Sequence, residues 1–100
     1  MRTRTKKLTD YGVPETVTKE EIKGKCRNAS DEVKMIVAKM CELYVPYGLE
    51  RLVYKSLIEG RSYDRLYAWE YVPIKADDFY GYQRRVMAHL YFELKSRGLW

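Results

Sequence analysis

Val33, Ile36, Val37, Met40, Cys41 and Tyr44 recur at i, i+3, i+4, i+7, i+8 and i+11, an unbroken apolar stripe of helical period. A strand would alternate its faces every second residue, and a loop would keep no period at all. The stripe therefore commits the middle of the chain to a helix with one side to bury. Ser30 stands where its hydroxyl can cap that helix, and Asp31 and Glu32 sit at the positive end of its dipole. Pro46 ends it. No segment elsewhere alternates apolar and polar residues over a useful length, so no strand competes. The fold class read from this pattern is all-α, a small bundle of four to five helices.

The remaining helices announce themselves by their punctuation. Thr18 with Glu21 three residues on forms a capping box, and Val17 opposite Ile22 forms a hydrophobic staple. A short helix comes next, with Ile22 and Cys26 on one face and Gly24 as a weak point worth about 1 kcal/mol against alanine. It fades near Asn28. A third helix is expected from about Tyr47, burying Leu49, Leu52, Val53 and Leu57 and stopping at Gly60. Ser62 caps a fourth, with Tyr63, Leu66 and Trp69 inward, and Pro73 forces its end by about Tyr71. Asp77 or Asp78 is expected to cap the last and longest helix. Its core face reads Phe79, Tyr82, Val86, Leu90 and Leu94, and Gly98 with Leu99 supplies its finish. Residues 1–17 keep no helical period. They read as a mobile basic arm and turn, leaving residues 18–100 as one helical domain.

Composition closes off several functions. No apolar run approaches the length of a membrane-spanning helix, and Leu8 to Val13 is too short and polar for a signal-peptide core, so cytoplasmic residence is expected. Cys26 and Cys41 each fall at an apolar helical position and read as buried free thiols. With His89 the sole histidine, no zinc site of usual ligand type can be assembled, and no cofactor is expected. The acidic pairs Glu20/Glu21 and Asp31/Glu32 sit at helix starts, where capping and the dipole account for them. No glycine-rich phosphate loop is present. An enzyme is not expected. A net charge of +5 biases the chain toward an anionic partner, and ten tyrosines in 100 residues require some to be exposed.

The segment from Leu57 to Leu90 carries a more specific pattern. A helix running to Gly60 precedes Ser62, Tyr63 and Leu66; a turn comes after, then Phe79, Tyr80, Arg84, Arg85 and Leu90 on the final helix. From Tyr47 to Leu94 this resembles the C-terminal helix-turn-helix of region 4 of bacterial sigma factors, and small phage and prophage transcription regulators built on that plan. The resemblance implies a helix-turn-helix unit over about residues 47–97 whose second helix enters the DNA major groove. Two features depart from it. The spacing from Leu66 to Phe79 is about two residues longer and stiffened by Pro73, and two aspartates occupy the first turn, where they repel phosphates.

With Phe79, Tyr82 and Val86 facing the core, the outward side of the last helix should show Tyr80, Arg84, Arg85 and Ala88. Lys75, Asp77, Asp78, Gly81 and Gln83 complete the candidate binding set, the mid-helix Gly81 marking a close approach of another backbone. Arg2, Arg4, Lys6 and Lys7 form a candidate phosphate-tethering arm. The favoured reading is a regulator that binds double-stranded DNA, of phage or mobile-element type, with a homodimer as its expected form. The alternative is a small phage-encoded protein that grips a host nucleic-acid-handling enzyme, such as a CRISPR nuclease, a restriction system or RNA polymerase, because Tyr and Arg dominate protein hot spots.

Overall fold

The computed structural model describes residues 3–100 and, of Arg4, the backbone alone. Five α-helices come after two short 3-10 turns, and no strand occurs among the described residues. The turns cover Thr3–Thr5 and Leu8–Tyr11. The helices are α1 (Lys19–Arg27), α2 (Asp31–Tyr44), α3 (Glu50–Ile58), α4 (Tyr63–Trp69) and α5 (Ala76–Ser96).

Local chemistry sets most of these boundaries. Thr18 accepts the Glu21 amide and the Glu21 carboxylate accepts the Thr18 amide, the reciprocal box expected before α1. Ser30 accepts from Val33 N–H and Ser62 from Arg65 N–H, which opens α2 and α4. Two starts differ from the sequence expectation. Residues 46–49 form a turn instead of helix, since Gly48 takes φ +94°, and Glu50 reaches back to accept the Gly48 amide at 2.8 Å. Lys75, not an aspartate, holds the extended backbone that precedes α5; Asp77 and Asp78 then fall inside the first turn, where the dipole favours acids.

α5 is the axis of the molecule. It packs against α1, α2 and α3 and beneath both 3-10 turns, while α4 rests mainly on α3. One core runs through the structure, with Ile22, Val37, Leu57, Leu66, Phe79 and Leu90 among its sealed side chains. Cys26 and Cys41 are part of it as free thiols, the pKa of each pushed up to about 12 by burial. The structure corrects three expectations about packing. Tyr82 is only half-buried, and Gln83 and Met87 take enclosed positions on α5 instead. Trp69, expected inside, is 80% exposed, because α4 ends on it and Glu70 turns the chain extended at φ −140°. The leading segment is not a free arm: its turns lie on α5, with Leu8 and Tyr11 packed against the core and Lys6 over the Tyr11 ring at 4.6 Å.

Candidate functional site

The strip expected on the outside of α5 is largely covered. Ala88 is 0% exposed, and Gly81 is buried too. Arg84 Nε donates to the Lys6 carbonyl at 2.8 Å, so the leading segment lies across it. Arg85 stacks its guanidinium over the Tyr44 ring at 5.6 Å, beside a His89 ring parallel to Tyr44 at 3.6 Å. Burial, and then Arg85, lower the His89 pKa. Tyr80 is half-buried, and its hydroxyl accepts the Tyr63 amide at 2.9 Å. Gln83 donates to Ser56 Oγ at 3.0 Å, and Ser56 in turn donates to the Val53 carbonyl. Lys75 and Asp77 remain exposed and Asp78 is half-buried. The physical reason is that a 21-residue helix with a glycine and an alanine on its second face invites packing on that side as well. Of the candidate arm, Lys6 is half-buried and Lys7 exposed; Arg2 and the side chain of Arg4 lie outside the described residues.

The structure instead gathers four of the candidates around a groove. Asp77, Tyr80, Gln83 and Arg84 line one wall, and Lys19 and Lys23 of α1 line the other. Farther along, the same groove passes Arg27, Gly60 and Ser62. Lys19, Lys23 and Arg27 stand four residues apart on one face of α1, a row about 12 Å long at about 1.5 Å per residue. Ile22 and Cys26 seat the helix on the core and set that row along its flank, with Lys19 and Arg27 exposed and Lys23 half-buried. Among the described residues none of the three cations enters an ion pair, and Asp77 is the sole acid lining the first stretch. The sequence reading missed this row, although its signal is local: cations at i, i+4 and i+8, flanking the face that carries Ile22 and Cys26. Arg27 is further held at the turn before α4. Its guanidinium lies against the bare Cα of Gly60, whose φ is +70°.

Other surfaces divide into neutralised charge and bare aromatic area. Arg51 and Lys55 of α3 both reach Glu70 Oε1, at 2.8 and 2.9 Å. The hydrogen bond from Arg51, then that from Lys55, hold the Glu70 carboxyl at about 2, down from its ordinary 4.5. A lowered folded-state pKa stabilises above the unfolded value and loses its effect as pH falls through the folded one. Glu70→Gln should therefore abolish part of the acid sensitivity between about pH 4.5 and about pH 2, read as the change in urea midpoint across that window. Near this cluster Tyr67, Trp69 and Tyr71 are 54%, 80% and 77% exposed. Among the described residues no group of three His, Cys, Asp or Glu side chains is placed to hold a metal ion. Among them, too, no helix is long and apolar enough to cross a membrane.

No family model matches this chain, and neither a curated protein nor a solved structure is found similar to it.

Proposed function

We propose that this domain is a nucleic-acid-binding protein of the regulatory kind, holding DNA by its phosphates in the groove between α1 and α5. The observation that carries this reading is the row Lys19, Lys23 and Arg27, without ion-pair partners among the described residues and facing Tyr80 and Arg84. Phosphate contacts from such a row supply affinity and position without reading sequence. Base readout by α5, which the helix-turn-helix resemblance implied, loses its support, because Ala88 and Gly81 are enclosed and Arg84 is engaged by the leading segment.

The test is a salt titration of binding to mixed-sequence DNA, duplex and single-stranded, by the full chain. Each phosphate contact contributes about 0.7–0.9 to the slope of log K against log salt. Lys19→Gln/Lys23→Gln/Arg27→Gln should flatten that slope by about 2–3 and weaken binding at every sequence tested. A folded protein whose binding ignores the three changes, or that binds no nucleic acid at low salt, removes the reading. A second reading, a grip on a partner protein, draws on Met35, Leu43 and the fully exposed Tyr47, which leave an apolar side of α2 and the turn after it uncovered.

A further inference from the structure

The groove does not end at Arg27. Its second stretch shares Lys23, Tyr80 and Gln83 with the first, and shares Gly60 and Arg61 with a third cleft that runs on to Arg65 and Trp69. Through those shared residues the three adjoin in sequence, a track across α1, α5 and the start of α4. Among the described residues six cations border it: Lys19, Lys23, Arg27, Arg61, Arg65 and Arg84. The acids along it among those residues are Asp77 and Glu59, and Glu59 is already held by Arg61 at 2.8 Å. At its far end Trp69 is 80% exposed, one helical turn beyond Arg65.

The geometry points to a single-stranded nucleic acid as the occupant of this track, an inference that rests on the phosphate-binding reading above. A cationic groove that tracks a backbone and ends on a bare indole is the combination that holds unpaired strands, since any base offers a π-face to stack. Base pairs in a duplex are already stacked on one another and gain little from a platform. A duplex reader also needs an element that projects into a groove, whereas this track lies in a cleft between helices. The phosphates would lie along the Lys19–Lys23–Arg27 row and a base would rest on Trp69, with Arg65 beside it. No sequence preference is expected, because the cationic side chains meet the backbone and the indole accepts every base.

The experiment measures fluorescence anisotropy of labelled oligothymidylate and oligouridylate of about 12 nucleotides, and of a hairpin duplex of similar length, with the full chain. Both single strands should bind more tightly than the hairpin. Trp69→Ala should weaken single-strand binding about 5- to 150-fold, the range of one lost base stack. Trp69→Phe should retain most of it, and hairpin binding should barely move in either variant. Single-strand affinity unchanged in a folded Trp69→Ala protein overturns the inference. If the triple α1 variant still weakens binding in that case, the phosphate-binding reading survives. A hairpin bound more tightly than either strand has the same two consequences. Absence of binding to all three probes overturns both and leaves the aromatic end of the track to a protein partner.

Discussion

Alanine in place of Phe79 is expected to lower the unfolding free energy by about 3–5 kcal/mol, the range for removing a sealed aromatic ring. Phe79 is fully buried at the start of α5, with Tyr63 edge-on at 5.7 Å and Tyr80 edge-on at 5.5 Å. The cavity left behind would do more than lose apolar burial. Tyr63 ties α4 to the approach to α5, its hydroxyl donating to the Ile74 carbonyl and its amide donating to the Tyr80 hydroxyl. A ring removed from beneath that pair loosens the seat of α4, and with it the far end of the cationic track. A domain of this size has only about 5–15 kcal/mol in reserve. Urea unfolding should show a midpoint reduced by more than about 1 M, given slopes of about 1–3 kcal/mol per M. Phe79→Leu should lose much less, since volume is largely conserved. A midpoint for Phe79→Ala within error of the parent would contradict the placement of this ring.

The second large effect concerns Ala88. If the face of α5 carrying Tyr80 and Arg84 were open to solvent, a glutamate at position 88 would change stability by about 0.5 kcal/mol or less. Ala88 is instead sealed, so Ala88→Glu forces a longer side chain and an unpaired carboxylate into filled space. Overpacking costs about 1–3 kcal/mol, and an uncompensated buried charge about 3–5 kcal/mol. The variant should be substantially unfolded at neutral pH, with lost near-ultraviolet circular dichroism and poor soluble yield. Ala88→Ser separates size from charge and should remain folded with a smaller loss. A well-folded Ala88→Glu protein would restore the outward face and the reading that depended on it.

How much of the fold the sequence disclosed depends on the range of each interaction. Thr18, Ser30 and Ser62 cap within three residues of themselves, so their helices were legible at nearly the residue. The stripe from Val33 to Tyr44 was equally plain, since one helix face meets one core. The start of α5 was not, because Lys75 precedes it without a side-chain cap and two aspartates offered a more familiar signal. α5 itself exposed the limit of periodicity. A period of about 3.6 identifies a first buried face. It says nothing about a second one made by an aperiodic leading segment folded back from 78 residues away, as between Arg84 and Lys6. Trp69 misled for a related reason: a large apolar residue reads as core until the helix is seen to stop there. The α1 cations lay open to reading, since their spacing is local, and only their meeting with Tyr80 across the groove needed tertiary structure.

Gly60 joins two matters that usually vary separately. Its φ of +70° suits a residue without a Cβ, and its empty flank is where the Arg27 guanidinium rests. An L-alanine there would strain the turn by about 1–2 kcal/mol and also evict a cation from the groove. Handedness separates the two. A D-alanine introduced by chemical synthesis is at ease at positive φ and directs its methyl to the other side, so the turn should stiffen while Arg27 keeps its berth. Chain reversal and the seating of Arg27 thus hinge on a single stereocentre that the natural residue leaves unmade.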